Sequence, residues 1–418
     1  MNIAIRSFDH RFYPFIAFVV PIVMILVLWR IVPGSFQKNE NEDYFFFYLP
    51  VAQNIVHGNG ITLHGKIASE YPPGYPVLIA AVLFAAQTTH CNEEVLLRAS
   101  IAFYLAITAV LIYFISLLLW NPRQALFVSL LWSCYPLVLW SAKQQNSELP
   151  FMVFLYGAFL CFLIGWRSAK NKKRYFFSGG ILCGVSMLIR PIAIGVGVSM
   201  AVLILFWKRY RFRQRLVLGL LIIIGNLIAV IPWEVWMYQK TKEVLLLCRS
   251  RDAISMFDGL TFAVWNPEGY RKGVPVPADV RNFMKEIIPK YSDTISTKQV
   301  VGMAKTELIK HPSSIIKLLF IKAARSWYAT NSNRFESLIL VVQFFYLALM
   351  LLACRMFWKS RTDCRLPLAI GLVLLVYFWG MTVCVLSIVR YMVPVLGLMV
   401  IFFPALRAPG AFPPHRSR

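Results

Sequence analysis

Charged residues are scarce in this chain, and acidic residues are the scarcest. Only 15% of the 418 residues are charged, and 19 acidic residues stand against 43 lysines and arginines. Hydrophobic residues make up 58% of the chain, and the mean hydropathy is +0.62. This composition excludes a soluble globular protein and indicates a polytopic membrane protein.

The sequence also lacks an ordered set of cysteines. Its eight cysteines have no metal-ligand spacing, and most of them lie in or beside apolar runs. A free cysteine in such a place behaves as a small hydrophobic residue. The sequence therefore predicts neither a disulfide framework nor a zinc site.

Long apolar runs are abundant, and we expect about ten of them to be transmembrane helices of an all-α protein. The first run has no small-residue cleavage site before the acidic stretch that follows it, so we expect a retained helix and not a signal peptide. The runs cover residues 12–32, 95–119, 124–141, 149–166, 175–190, 191–207, 216–232, 337–357, 366–388 and 391–406.

The net charge of +24 comes from short basic blocks between the apolar runs. Such blocks mark cytoplasmic loops under the positive-inside rule, and they place the N-terminus in the cytoplasm. Nucleic-acid binders gather their basic residues on one accessible face, so a nucleic-acid partner is not expected. The blocks are "RSAKNKKR" (167–174), "KRYRFRQR" (208–215), "RMFWKSRTDCR" (355–365) and the tail from Arg407.

This topology brings the polar candidates to the extracytoplasmic side. We divide the chain into a transmembrane module (1–232) whose first extracytoplasmic loop is 33–94, an extracytoplasmic capping loop (233–336), and C-terminal transmembrane helices with a cytoplasmic tail (337–418). The short run 71–87 begins among prolines, and a full crossing there would break the topology. We therefore interpret it as a re-entrant or juxtamembrane helix.

Several motifs, in order, resemble the GT-C class of membrane glycosyltransferases. The first loop has an acidic residue, an aromatic run, Ala52, "NIVHGNG" and "PPGYP". Further motifs are "NSELPF", "LIRPIA", "KHPSSIIKLLFIKAARSWY" and "VRYMVPVLGL". The set is similar to the branch that contains protein O-mannosyltransferases and the lipid A aminoarabinose transferase, and together the motifs cover most of the chain.

The resemblance implies an enzyme that moves a sugar from a polyprenyl-phosphate carrier to an acceptor on the extracytoplasmic face, with inversion. Such chemistry needs a carboxylate that takes a proton from the acceptor. Asp43 matches the family's first acidic residue, and we assign it as the base, with Glu42 as the competing candidate. A solvated or structural role for Asp43 is the alternative.

The alternative function is that of a polyprenol-linked lipid flippase or transporter, or of a non-catalytic protein of this fold. Transporters commonly show duplicated halves, and this sequence has no internal repeat.

A departing polyprenyl phosphate is an anion, and arginine binds phosphate with a planar fork of donors. We expect the donor site to include one acidic residue, Glu148, and four basic residues: Arg390, Arg190, Arg325 and Lys66. The alternative role for each arginine is to extend its side chain to the lipid headgroups. The alternative role for Glu148 is that of an ordinary acidic residue at a helix N-terminus, stabilised by the helix dipole after Ser147 as N-cap. Tyr44 and Tyr71 stand where family members often have a second acid and a lysine, and we expect them to contact sugar or acceptor.

No cofactor is expected. A divalent metal held by His57, His64 and Asp43 is not predicted either, because nothing fixes their spacing. The expected partners are a polyprenyl-phosphate sugar, an acceptor that is a lipid, a glycan or a protein, and membrane lipids. The compact chain favours a bacterial inner membrane over the endoplasmic reticulum.

The capping loop contains a segment, Ser313 to Tyr328, with the spacing of an interfacial amphipathic helix. On one face we expect Ile315, Ile316, Leu319, Phe320 and Ala323, and on the other Lys317, Lys322 and Arg325. The alternative for this loop is a plain linker on the membrane.

Overall fold

The computed structural model describes residues 10–33, 41–168, 170–208, 210–249, 251–264, 274–292, 295–360 and 365–407. The C-terminal tail beyond 407, expected in the cytoplasm, lies outside these ranges. The helices are α1 (Tyr13–Ile31), α2 (Leu49–Val56), α3 (Gly74–Thr89), α4 (Glu93–Leu117), α5 (Pro122–Ser133), α6 (Pro136–Ala142), α7 (Glu148–Arg167), α8 (Lys172–Ile189), α9 (Val196–Phe206), α10 (Phe212–Thr241), α11 (Arg251–Thr261), α12 (Ala278–Ile287), α13 (Thr297–Lys310), α14 (Pro312–Arg325), α15 (Glu336–Ser360), α16 (Arg365–Cys384) and α17 (Val393–Val400). Strands β1 (Thr62–Leu63) and β2 (Lys66–Ile67) form a small antiparallel hairpin in the first loop.

Within the described ranges, six helices are long and apolar enough to cross a membrane, which makes the chain an integral multi-pass membrane protein. They are the helix over His10–Ile31, α4, α7, α10, α15 and α16. The pair α5 and α6 is bent by 59° and counts as a seventh if it is one span. By this measure six of the ten expected runs are spans and the bent pair covers a seventh, whereas the runs at 175–190, 191–207 and 391–406 do not meet the criterion of length and apolarity.

The difference has local causes. Helix α8 begins with three basic residues, Lys172, Lys173 and Arg174, and α9 has only 11 residues because a short 3-10 turn, Pro191–Ala193, precedes it. The last apolar run is also interrupted, since α17 has 8 residues and is followed by a separate 3-10 turn at Phe403–Leu406. Helix α10 instead continues to Thr241, past the module boundary expected at 232.

Helices α8 and α10 cross with their backbones in close contact, and glycines make this possible. A Cβ atom on Gly180 would overlap the Ile222 carbonyl oxygen, and one on Gly225 would overlap the Phe177 carbonyl oxygen. Small residues at such crossings allow close van der Waals packing where the hydrophobic effect between lipid-embedded helices is weak. This crossing therefore depends on the absence of side chains.

Replacing Gly180 by alanine is expected to lower the free energy of unfolding by about 1–3 kcal/mol, because the added methyl group forces the two backbones apart. The midpoint of thermal unfolding of the purified protein in detergent measures this. Gly302 in α13 is the matched control, since a Cβ there meets no atom within 4 Å. Gly302→Ala is expected to raise stability slightly through helix propensity, and equal losses in both variants would refute the packing argument.

The capping segment has a hydrophobic core of its own. Helices α11, α12, α13 and α14 bury apolar side chains against one another, including Phe257, Phe283 and Met284. Leu386 and Ile388, from the connection after α16, complete this core. The segment expected as a capping loop is thus a packed helical layer that contacts the connection after α16. This packing disagrees with the alternative prediction of a plain linker.

Helix α14 orients its residues differently from the expected pattern. Ile316, Leu319 and Phe320 are exposed, as an interfacial helix requires. Lys322 and Arg325, however, are buried on the inner face with Ile315 and Leu318. These four residues are spaced by three or four positions, so they share one side of the helix. The expected basic face is therefore wrong for Lys322 and Arg325, and burial lowers the pKa of Lys322 to about 7.

Candidate active site

The first loop positions Asp43 immediately before an aromatic π-helical turn, Tyr44–Tyr48. Within this turn Tyr44, Phe47 and Tyr48 are buried, whereas the Asp43 side chain is 26% exposed. Single π-helical turns are rare in proteins, and those that occur often lie at functional sites. Here the turn anchors the loop with aromatic rings and leaves the carboxylate at the surface.

Two side chains hold the Asp43 carboxylate by the same oxygen. The Tyr71 hydroxyl donates to Oδ1 over 2.6 Å, and Nη2 of Arg251 donates to Oδ1 over 2.8 Å. The Arg251 guanidinium also lies 5.3 Å from the centre of the Tyr71 ring. Burial, followed by the charge of Asp43, holds the pKa of Tyr71 well above its usual value, so this phenol remains a donor.

Glu42 and Asp43 are adjacent but differ in their surroundings. Glu42 is exposed, and within the described part of the chain no ion pair or hydrogen bond involves its side chain. Asp43 has fixed partners on one oxygen, while no described group bonds its Oδ2. The two candidates for the base therefore lie in different surroundings.

A second charged cluster forms around Glu148, the first residue of α7, which is 1% exposed. Its Oε1 pairs with Nη1 of Arg190, which directly follows α8, and with Nε of Arg390 at 2.8 Å. Nη1 of Arg190 also donates to the Ser147 hydroxyl over 3.1 Å. The ends of α7 and α8 and the turn Val389–Tyr391 therefore meet at one point.

This cluster contains more positive than negative charge. Two guanidinium groups surround one carboxylate. The centre of the Tyr391 ring lies 5.4 Å from Cζ of Arg190 and 5.6 Å from Cζ of Arg390. The Arg390 side chain is 32% exposed, whereas the Arg190 side chain is 11% exposed. An anion would therefore reach the cluster from the side of Arg390.

Tyr48 connects the two clusters. Its ring packs against those of Tyr71 and Tyr75, each with a centroid distance of 5.0 Å. Burial and then the charge of Asp43 raise the pKa of Tyr48, and the charges of Arg190, Glu148 and Arg390 also act on it. The Asp43 and Glu148 clusters are therefore close enough to share one electrostatic environment.

The other predicted site residues lie in different surroundings. The Arg325 guanidinium forms a two-bond ion pair with Glu336, at 2.9 and 3.2 Å. Lys66 is exposed on β2, and Tyr44 is buried with its ring against Phe45. Sequence reasoning missed Arg251, Tyr48 and Tyr391, which no spacing pattern links to Asp43.

Among the described residues, His57, His64 and Asp43 do not form a group of metal ligands. His57 and His64 are exposed, and the grouping of possible metal ligands among the described residues is Glu286, Glu307 and His311. Lys290 already pairs with Glu307 at 2.7 Å. The positive charge of this lysine opposes cation binding at that place.

Comparison with known proteins gives one family and several relatives. Residues 71–236 match the family model described as dolichyl-phosphate-mannose-protein mannosyltransferase. The undecaprenyl phosphate-alpha-4-amino-4-deoxy-L-arabinose arabinosyl transferase of Yersinia enterocolitica is 26% identical over 145 residues, which are 34% of this chain and 26% of that protein. The matched stretch thus spans about a quarter of this relative.

Among solved structures, the archaeal oligosaccharyltransferase AglB from Archaeoglobus fulgidus, in complex with an inhibitory peptide and a dolichol-phosphate, has a TM-score of 0.56 at 13% identity. The overlap covers 96% of this chain and 50% of AglB. ArnT from Cupriavidus metallidurans, bound to undecaprenyl phosphate, overlaps with a TM-score of 0.44 at 15% identity, over 93% of this chain and 78% of ArnT. The family match and the fold shared with AglB confirm the resemblance to the GT-C class of membrane glycosyltransferases, in the branch of the protein O-mannosyltransferases and the aminoarabinose transferase.

Proposed function

We propose that this protein is an integral-membrane glycosyltransferase that moves a sugar from a polyprenyl-phosphate donor to an acceptor on the extracytoplasmic face, with inversion at the anomeric carbon. The observation that carries the proposal is a half-buried carboxylate, Asp43, together with an arginine pair of excess positive charge, both of which act on the buried Tyr48 between them. The donor class is supported by two names, that of the matched family and that of the Yersinia enterocolitica relative. The first name includes dolichyl-phosphate and the second includes undecaprenyl phosphate.

Asp43 is the proposed base. Its carboxylate takes the proton of an acceptor hydroxyl or amine while the acceptor atom forms a bond to the anomeric carbon. The bond from that carbon to the phosphate oxygen breaks, and its electron pair leaves with the polyprenyl phosphate. Attack from the face opposite the leaving group inverts the anomeric centre. Because Tyr71 and Arg251 both use Oδ1, Oδ2 is the oxygen directed to the acceptor.

Arg390 and Arg190 are the proposed partners of the leaving phosphate. Fixed guanidinium groups in a partly buried site stabilise an anion that develops during reaction, and they need little reorganisation to do so. Glu148 neutralises one of the two positive charges and holds both arginines in place. The remaining charge favours a phosphate that becomes more negative as the sugar departs.

The remaining predicted contacts have unequal support from the geometry. Tyr71 touches Asp43 and is well placed to contact a sugar or an acceptor next to the base. Arg325 is already paired with Glu336, so its contact with a donor phosphate requires that this pair opens. Lys66 and Tyr44 remain proposals without a supporting contact. The acceptor is a lipid, a glycan or a protein, and the proposed location is a bacterial inner membrane.

A donor panel tests the function. The purified protein in lipid is incubated with radiolabelled polyprenyl-phosphate sugars that differ in sugar and in carrier length, and release of the sugar from its carrier is measured. Transfer or slow hydrolysis of one donor is the expected result. Binding of donors without cleavage of any of them would instead support a flippase or a non-catalytic protein of this fold.

Replacing Arg390 by alanine is expected to lower kcat/KM for the donor by about 10-fold or more, because a charge-assisted hydrogen bond to phosphate contributes about 1.5–3 kcal/mol. Steady-state rates over a range of donor concentrations measure this effect. Arg98→Ala is the matched control, since Arg98 is 43% exposed and pairs with Glu94 one helical turn away. The same loss of kcat/KM in both variants would contradict a specific phosphate contact.

A further inference from the structure

The connection between α10 and α11 contains a strained turn at Leu247. This residue has a φ of +68°, which is unfavourable for a side chain with a Cβ atom. The Cys248 N–H donates to the Leu246 carbonyl over 2.9 Å, the two-residue bond of a γ-turn. A γ-turn with positive φ is rare and strained, and such strain persists only where surrounding contacts hold it in place.

Helix α10 supplies those contacts. The Leu247 N–H donates to Oε1 of Glu234 over 2.9 Å, and Nε1 of Trp233 donates to the Leu247 carbonyl over 3.0 Å. The Leu247 side chain is 1% exposed. Both backbone polar groups of the strained residue are therefore bonded by a membrane-spanning helix, and its side chain is buried.

After this turn the chain runs along the first loop and contacts it twice. The Arg249 N–H donates to the Ser69 carbonyl over 2.7 Å. Arg251, the first residue of α11, then reaches Oδ1 of Asp43. We name residues 246–249 together with Arg251 the strap. The strap brings a cation from the capping layer to a carboxylate 208 residues away in sequence.

We propose that Arg251 is a positioning residue for Asp43, and that the turn at Leu247 sets its place through the strap. This inference rests on the proposed function. The guanidinium fixes one carboxylate oxygen and leaves the other to the acceptor.

Other charges also act near this pair. Tyr71 and Tyr48 face Asp43, Arg390 lies within electrostatic range of it, and Asp258 acts on Arg251. None of these groups is altered when Arg251 alone is replaced. A change in the pH dependence of the Arg251 variant therefore reports the loss of this one guanidinium group.

The test is the pH–rate profile of donor cleavage for Arg251→Gln. We expect a loss of about 10- to 100-fold at neutral pH from poorer placement of the base. The low-pH side of the profile, its acidic limb, is expected to move to higher pH, because a positive charge beside the carboxylate is gone. Arg251→Lys is expected to return the limb close to its original pH with incomplete recovery of rate, since lysine restores the charge without the fork.

The control is Arg249→Gln, which removes a neighbouring guanidinium group that is 53% exposed and paired with Glu243, while the backbone bond to Ser69 is kept. Its pH–rate profile is expected to match that of the wild type.

Glu234→Ala removes the acceptor of the Leu247 N–H without touching Asp43 or Arg251. It is expected to move the acidic limb of the pH–rate profile in the same direction as Arg251→Gln, by a smaller amount.

A loss of rate in Arg251→Gln that is equal at every pH, with an unmoved limb, would show a structural role and overturn the inference. An unmoved limb in Glu234→Ala would overturn the part assigned to the turn. Either result with an active wild type leaves the proposed function intact. A wild type that cleaves no donor of the panel overturns the proposed function and this inference together.

Discussion

Asp43→Asn is expected to lower the rate of sugar transfer by about 10²- to 10⁴-fold, the usual contribution of a general base. Asparagine keeps the shape of the side chain and can still accept a hydrogen bond from Tyr71, but it cannot take a proton from an acceptor. The initial rate of sugar release from a labelled polyprenyl-phosphate sugar measures the loss. The donor itself is expected to bind normally, because its phosphate is assigned to the Arg190 and Arg390 cluster.

The neighbouring carboxylate provides the comparison. Glu42 is exposed and has no ion-pair partner among the described residues, so Glu42→Gln is expected to stay within about twofold of wild type, as for most surface changes. Competition by an unlabelled donor checks that both variants still bind. If Glu42→Gln loses activity while Asp43→Asn keeps it, the base is Glu42. If both variants keep full activity with the active donor, neither residue is the base.

The hydrophobic runs predicted most of the transmembrane helices, because a bilayer demands long apolar segments and few other elements do. The run at 149–166 became Glu148–Arg167, and that at 337–357 became Glu336–Ser360. The prediction was weaker where helices are short or interrupted. The run at 391–406 has the hydropathy of a span, but it folds as an eight-residue helix and separate turns.

The charged site could be predicted only in part. Glu148 and Arg190 stand at the ends of apolar runs, so topology alone brings them to one side of the membrane, and the structure shows them as an ion pair. Arg251 lies in a polar connection where no periodicity and no run marks its position. Its contact with Asp43 depends on how the strap turns at Leu247, a tertiary feature without a local signal.

Glu148→Gln is expected to lower the free energy of unfolding by about 3–5 kcal/mol, since it removes one partner of a buried ion pair and leaves the others uncompensated. Glutamine has nearly the volume of glutamate, so the loss reports charge and not packing. Glu148 is 1% exposed, and the Arg190 side chain 11%, so solvent cannot replace the missing partner well. The midpoint of thermal unfolding in detergent is the measurement.

The double variant Glu148→Gln/Arg190→Gln separates charge imbalance from a general defect. It leaves only the more exposed Arg390 without its partner, so part of the lost stability is expected to return, whereas independent sites would show additive losses.

Polyprenyl phosphate provides a second comparison. An anion that binds the two free arginines of Glu148→Gln stabilises the folded protein in proportion to its affinity. It should therefore raise the unfolding temperature of this variant more than that of wild type. An equal rise in both proteins would place the phosphate elsewhere and remove the arginine pair from the proposed donor site.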